Sequence, residues 1–216
     1  AIEESIAAPL HDRTKKAKPI ERPPVETEQA DAAVIPTWTT EYRIAPRKRL
    51  PRWVEPGEAG NHLHMVESIE KLADHEGPIH REVVDARLKE WWNVGRIGQN
   101  IRANIDRAIS QSRVVQDGEF LLPSGGVVTQ IRTPSDQFLR KVEHVHLDEL
   151  GLAVVLTVRD AEAASRAEVI QCVARVFGWQ KTSATVERRV GEAIDQLVAD
   201  GKLVCSAEDT LTAPRG

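Results

Sequence analysis

The chain is poor in cysteine, in aromatic residues and in long apolar runs, and each shortage excludes a class of protein. Its two cysteines, Cys172 and Cys205, are far apart and form no CxxC motif, which argues against a disulfide scaffold and favours a reducing, cytoplasmic location. No apolar run approaches the ~18 residues of a membrane-spanning helix, and the first residues lack the pattern of a signal peptide. We therefore expect no membrane partner. Aromatic residues make up 4% of the 216 residues, so the core has to consist mainly of aliphatic side chains.

Sequence motifs of the common catalytic sites are also missing. The chain contains no GxxxxGK(S/T) phosphate loop, no GxGxxG, no GxSxG and no HExxH, so it lacks the residues by which these motifs bind nucleotides or activate a nucleophile. Its carboxylates are scattered along amphipathic stretches, where charge is typical of a solvated surface. We expect this chain to be neither an enzyme nor the carrier of a cofactor.

Charge and proline divide the chain into two regions. The net charge of −4 gives no overall attraction to nucleic acid, so any basic site has to be local. Residues 1–60 hold eight of the twelve prolines. For residues 1–36 we predict a largely irregular, Pro-rich linker, because so polar a stretch cannot bury enough apolar surface to offset its ordering entropy.

Because the first residue is Ala and not Met, we also expect a piece of a larger protein.

Residues 37–61 are predicted to form an extended strap with a basic cluster, called the basic segment below. The expected anchors are Trp38, Tyr42 and Trp53, and the cations are Arg43, Arg47, Lys48, Arg49 and Arg52. Two interpretations are open. The cations contact phosphates, or the aromatic side chains hold the segment across the following domain while the cations stay solvated. We favour the second, because basic runs are common and unspecific.

From His62 onward, apolar residues recur with a helical period. Three apolar stripes and two short runs around Asp117-Gly118 predict three helices and a hairpin in residues 62–123. After a connection, 124–143, the same order recurs in residues 144–214. The third stripes align at one constant offset: Ile101, Ile105, Ala108 and Ile109 with Val186, Val190, Ala193 and Ile194. Trp91 and Trp92 fit the second stripe, so we expect both in the core and not stacked on a base.

Three helices followed by a two-stranded wing are the arrangement of a winged helix-turn-helix unit. Each unit would have ~60 residues, which is small for a stable core on its own. We therefore predict a mainly α chain with small β-hairpins, built as a tandem of winged helix-turn-helix units that pack on each other.

Four of the seven histidines form two His-x-His pairs. His62 and His64 align with His144 and His146 at a slightly smaller offset than that of the third stripes, and both pairs are expected just before a first helix, partly exposed. The repeat explains this spacing without a metal. A zinc site of all four imidazoles is the alternative, although His at i and i+2 is not the i, i+4 pair of a helical zinc site. We expect no metal.

The predicted third helices differ in charge. Residues 96–113 hold four arginines and one acid, whereas residues 181–202 hold four basic and four acidic residues. Only the first unit therefore offers a phosphate-binding surface. The expected nucleic-acid contacts are Arg96, Gln99, Arg102, Arg107 and Arg113. Asp106 lies on the same face, where it would repel phosphate; it could also pair with Arg102 at i, i+4 and simply solvate the helix.

The stretch HEGPIHREVVDARLKEWWNVGRIGQNIRANIDRAI, residues 75–109, resembles a bacterial domain of unknown function. That domain lies at the C-terminus of very large superfamily-one helicase-like proteins, often with a very-short-patch-repair-type endonuclease domain. Residues 165–204, GEFLLP at 118–123 and Tyr42 extend the resemblance over roughly 40–214, but the second unit has Ser183 where the family pattern has glycine. The resemblance implies an accessory module with ATPase and nuclease domains upstream in the same polypeptide.

Two functions remain open from the sequence. The first is a non-catalytic module that binds nucleic acid, DNA more readily than RNA, through the first unit. The second is a protein-docking or dimerisation module that regulates the parent ATPase, which the near-neutral second unit favours.

Overall fold

A computed structural model describes residues 36–48, 50–51 and 53–214. The linker predicted for 1–36 lies, apart from Pro36, outside the described residues, as do Arg49 and Arg52 of the basic segment.

The described chain is mainly helical with small sheets, as the sequence predicts. The first half contains β1 (Thr39–Glu41), α1 (His62–Glu76), β2 (Ile79–His80), α2 (Arg81–Trp92), α3 (Gln99–Gln111), β3 (Val115–Asp117) and β4 (Phe120–Leu122). The second half contains β5 (Ile131–Thr133), α4 (Leu147–Ala161), β6 (Ala163–Ser165), α5 (Arg166–Val176), α6 (Ala184–Ala199), β7 (Val204–Cys205) and β8 (Thr210–Thr212). Short 3-10 helices at Ala59–Asn61 and Val142–His144 precede α1 and α4. None of the described helices combines the length and the apolar character that crossing a bilayer requires.

Both halves have the same element order, and we call α1 to β4 the first repeat and α4 to β8 the second. Each repeat has a three-stranded sheet, in the order β2-β4-β3 and β6-β8-β7. The hairpins β3–β4 and β7–β8 are antiparallel, which confirms the two predicted hairpins. The pattern of apolar residues did not predict the strands β2 and β6. All three helices of the second repeat begin at the same offset from their counterparts, as Ala184 does from Gln99.

Local signals explain where several helices begin and end. Ser165 and Glu168 form a capping box at the start of α5, and the Ser183 side chain accepts a hydrogen bond from the backbone N–H of Val186 at the start of α6; both satisfy amide groups that a helix leaves unpaired. Helix α1 ends at Glu76, and its C-cap is Gly77, where a Cβ atom would lie 2.2 Å from the Ala73 carbonyl oxygen. A side chain there would clash with the last turn of the helix.

Each repeat has its own aliphatic core. In the first, α1, α2 and α3 bury Met65, Ile69, Leu72, Val84, Leu88 and Ile105. In the second, α4, α5 and α6 bury Leu150, Val154, Val169, Val173, Val190 and Ile194. Trp91 and Trp92 are 3% and 8% exposed, so both belong to the first core, as predicted, and neither is available to stack on a base.

The basic segment crosses both repeats. Its strand β1 pairs in parallel with β5, which lies in the connection between the repeats. The indole Nε1 of Trp38 donates to Asp160 of α4 (2.7 Å), and the buried Tyr42 donates its hydroxyl to Glu76 of α1 (2.7 Å). Two of the three predicted anchors are therefore in place. The third is wrong: Trp53 is 69% exposed and meets the His64 ring only edge-on.

Each repeat contains one fully buried carboxylate, Glu76 in the first and Glu149 in the second. Glu76 accepts from Arg87 (3.0 Å) and from Tyr42. Glu149 accepts from Arg132 (2.7 Å) and Arg140 (2.7 Å). The Arg132 guanidinium also donates to the carbonyl oxygens of Glu76 and Pro78 in the first repeat. One side chain thus bonds both halves, in a place where an unpaired charge would be strongly unfavourable.

Candidate nucleic-acid interface

Helix α3 presents one apolar and one polar face. Its apolar face packs on α1 through Ile105, Ala108 and Ile109, all buried. The opposite face exposes Arg96 of the preceding loop and, from the helix itself, Gln99, Ala103, Asp106, Arg107 and Ser110. This is the outward set that a period of 3.6 residues predicts once the isoleucines point inward.

The five predicted contact residues divide into two groups. Arg96, Gln99 and Arg107 are exposed, and neither of the two arginines has an acidic partner within 4.0 Å among the described residues. Arg102 and Arg113, in contrast, are each held by a carboxylate of the same chain. Of the four arginines, two therefore have a carboxylate partner, on α2 and on α1, and two have none among the described residues.

The two paired arginines belong to well-formed contacts. Arg102 forms a two-point contact with Asp85 of α2, with one bond of 2.9 Å, and these hydrogen bonds raise the pKa of the guanidinium. Arg113 contacts Glu70 of α1 through its backbone N–H and its guanidinium, and the same bonds lower the pKa of Glu70. Both arginines stay partly accessible, with side chains 41% and 69% exposed, so a phosphate would have to compete with a carboxylate for them.

The i, i+4 spacing suggested that Asp106 pairs with Arg102, but the two side chains form no ion pair. Asp106 accepts instead from Arg81 at the start of α2 (2.7 Å). Because Arg81 offsets its charge, Asp106 repels an approaching phosphate less than the sequence implies. The β3–β4 turn is less suited to binding phosphate, because Asp117 and Glu119 are exposed there and the turn carries no cation.

The start of α3 offers a second feature that suits an anion. Its N-cap, Gly98, has no side chain to accept from the first amides of the helix, and a Cβ atom placed there would meet nothing within 4 Å. No side chain at the N-cap therefore offsets the positive end of the helix dipole. In α6 the equivalent position is Ser183, which caps its helix itself.

The corresponding helix of the second repeat has internally compensated charges. On α6, Arg188 and Arg189 both contact Glu192 (2.5 and 3.3 Å). Asp195 of the same helix accepts from Arg166 (2.7 Å). This agrees with the balance of four basic and four acidic residues that the sequence shows.

The basic segment runs beside α3. The Asn104 side chain donates to the carbonyl oxygen of Pro56 (2.8 Å), and a groove of about 170 Å³ lies between Gly57 and the residues around Arg107. The described cations of the segment differ in the groups that they contact. Lys48 contacts Glu67 and Arg47 reaches the Trp91 carbonyl oxygen, whereas Arg43 is exposed. Arg47 is also exposed, and of these three cations only Lys48 has an acidic partner among the described residues.

The histidine pairs do not occupy equivalent positions, contrary to the expectation. His62 and His64 lie inside α1, whereas His144 and His146 precede α4. Helix α1 begins at His62, but α4 begins at Leu147 and not at His144, so the alignment of the pairs does not follow the alignment of the helices. The second pair is also not exposed: His144 and His146 are 8% and 5% exposed.

The four imidazoles do not converge on one point. Among the described residues, the single group of three or more side chains whose ligand atoms come together is His80, Glu82 and His144. The sequence did not single out His80 or Glu82 as ligands. His80 lies at the N-cap of α2 and accepts from the Glu82 amide. Burial and the neighbouring His144 lower the pKa of His80.

Part of this face matches the model of a known family. Residues 58–103 match the family described as Protein of unknown function (DUF3320). The match spans α1, α2 and the start of α3, and it includes Arg96, Gln99 and Arg102. No curated protein and no solved structure matches the chain.

Proposed function

We propose that the chain is a non-catalytic module that binds nucleic acid, with two winged helix-turn-helix units of which only the first contacts its ligand. The observation that carries the proposal is the outward face of α3, where Arg96 and Arg107 are exposed and have no acidic partner among the described residues. Arg96 also lies next to a helix start whose N-cap, Gly98, has no side chain. The order helix, strand, helix, helix, strand, strand in each repeat supports the winged-helix assignment. In such units the third helix enters the major groove of DNA.

The charges of this face favour contacts to the phosphate backbone over the reading of bases. Two free arginines and open helix amides recognise phosphate oxygens, which carry no sequence information. Gln99, in the first turn of α3, is the residue placed to reach a base edge. We therefore propose duplex DNA as the ligand, bound with modest affinity and little sequence preference.

The setting of the module is the second part of the proposal. The motif in residues 75–109 resembles the C-terminal domain of helicase- and nuclease-type proteins, so the partners proposed within the polypeptide are upstream ATPase and nuclease domains. The free thiols Cys172 and Cys205 support a cytoplasmic location.

One observation favours a docking module instead. A groove of about 570 Å³ lies along α4 and α6 in the second repeat, lined by Leu147, Leu152 and Val155, and Val127 beside it is 67% exposed. Apolar residues at an accessible groove are typical of surfaces that bind other proteins. A module of this kind would bind a protein partner without any dependence on Arg96 or Arg107.

Salt dependence separates the two functions. Fluorescence anisotropy of a labelled DNA duplex, titrated with the full chain at several salt concentrations, gives the slope of log K against log salt. Replacing Arg96 and Arg107 by Gln should reduce the steepness of this slope by about 2, since each phosphate contact contributes roughly one unit.

The matched control replaces Arg188 and Arg189 of α6 by Gln, which removes the same charge from the second repeat. This variant should keep the slope of the unmodified chain. If both double variants change the slope equally, or if the unmodified chain shows no salt-dependent binding, the proposed function is wrong.

A further inference from the structure

Three side chains with metal-binding atoms meet where the two repeats join. His80 ends β2, Glu82 lies in the first turn of α2, and His144 lies in the 3-10 helix that precedes α4. One ligand atom from each lies within 4.8 Å of the others. Two imidazoles and a carboxylate are a donor set that zinc takes in proteins, with the fourth position left to water.

The surroundings bring these groups together in a defined way. The His80 and His144 rings lie 4.6 Å apart, and Phe120 contacts His80 edge-on. His144 is 8% exposed, and its Nε2 lies 2.9 Å from Glu82 across the junction. A buried imidazole is thus held by one exposed carboxylate and stacked on a second imidazole.

We propose that His80, Glu82 and His144 form a binding site for a divalent transition-metal ion of the zinc class, which links the first repeat to the segment that leads into the second. Donors about 2.0–2.1 Å from a tetrahedral ion lie roughly 3.4 Å apart, so distances of up to 4.8 Å have to shorten by as much as about 1.4 Å. Glu82 and the Nε2 atom of His144 are already 2.9 Å apart, so the half-buried His80 ring has to make most of this movement, while the exposed Glu82 side chain adjusts around it. The nearby Lys141, 69% exposed and 3.9 Å from Glu82, can turn away into solvent.

Binding exchanges existing hydrogen bonds for coordination. His80 uses Nδ1 to accept from the Glu82 amide, so its Nε2 is the atom that coordinates the ion. The ring proton then moves to Nδ1, and the capping bond is lost. The proton on Nε2 of the neutral His144 ring likewise moves to Nδ1, so the ring stays neutral, and Glu82 exchanges a hydrogen bond for a metal bond. One cap and one exposed hydrogen bond are small losses beside three coordinate bonds.

Conservative variants test the site without removing the structural bonds. His80→Asn keeps a capping acceptor, since Asn is a favoured N-cap residue, but it removes the imidazole. His144→Gln keeps a donor for Glu82. The control, His62→Asn with His64→Asn, removes two imidazoles from α1. Each protein, without an affinity tag, is dialysed against Zn²⁺ and its metal content is measured; the visible spectrum with Co²⁺ reports the coordination.

The unmodified chain and the control should bind one Zn²⁺ per chain, give a tetrahedral Co²⁺ spectrum and melt at a higher temperature with zinc than without. Either single variant should weaken binding at least about 10-fold, because even outer-shell changes cost about 10- to 100-fold, while melting as the unmodified chain does without metal. Absence of stoichiometric zinc, binding that both single variants leave unchanged, or binding that the α1 control abolishes would overturn the proposal. None of these outcomes depends on DNA binding.

Discussion

At the scale of single residues, Glu149 shows how charge is placed inside this molecule. It is fully buried and accepts hydrogen bonds from both Arg132 and Arg140. Burial alone would raise the pKa of Glu149, but the attraction and hydrogen bonds of Arg140 and Arg132 outweigh it and lower the pKa to about 2. The ionised carboxylate is therefore part of the folded state and not a candidate proton donor.

Replacing Glu149 by Gln should destabilise the chain by about 3–5 kcal/mol at neutral pH, because two buried guanidinium groups lose their counter-charge. The pH dependence follows from the sign of the shift. The pKa is lower in the folded chain than the ordinary 4.5, so the stabilisation is present above pH 4.5 and is lost as the pH falls toward 2. Urea denaturation at several pH values measures both effects.

Glu143→Gln is the control, since Glu143 lies in the segment just before α4 and outside the buried network. It should change the free energy of unfolding by no more than about 0.5 kcal/mol at any pH. A difference between Glu149→Gln and the unmodified chain that stayed constant down to pH 2 would contradict the assigned charge state.

The sequence could not identify this network. Glu76, Arg87, Arg132, Arg140 and Glu149 look like ordinary surface charges in a single sequence, because their partners are brought together by tertiary packing. The same limit applied to the α3 face. Its helical period predicted the correct outward residues, but Asp85 and Glu70, which hold Arg102 and Arg113, lie on other helices.

At the scale of elements, the helices and the two hairpins were readable from the sequence, and the strands β2 and β6 were not. Apolar residues at a helical period persist through α1 to α6, of which the shortest has 11 residues and the longest 16, so the pattern is unambiguous. Strands β2 and β6 have two and three residues, too few to show an alternation. They exist because β4 and β8 supply hydrogen-bond partners from distant positions along the chain.

Helix caps differ between the repeats, and the difference gives a prediction for α6. Ser183→Ala should lower the free energy of unfolding by about 1 kcal/mol, because the Val186 amide loses its acceptor. Ser183→Gly, which introduces the residue that the first repeat has at Gly98, should cost only a few tenths of a kcal/mol. Thermal and urea denaturation of the two variants compare these values; an equal loss for both would show that the hydroxyl does not cap the helix.

At the scale of the whole molecule, two similar repeats have different surfaces. Among the described residues, Arg96 and Arg107 at α3 have no acidic partner, whereas the arginines at α6, Arg188 and Arg189, pair with Glu192. The constant offset between the third apolar stripes predicted the repetition of elements. The alignment of the two His-x-His pairs was wrong, because matching residue types do not guarantee equivalent positions in the two repeats. In the structure His144 stacks on His80.

The most direct test of the asymmetry is an NMR titration of the isotope-labelled chain with a short DNA duplex. Amide chemical shifts should change in residues 96–107, and the largest changes should fall at the start of α3. The amides of α6 should be unaffected. Changes concentrated on α6 or along the groove between α4 and α6, or none in residues 96–107, would contradict the account.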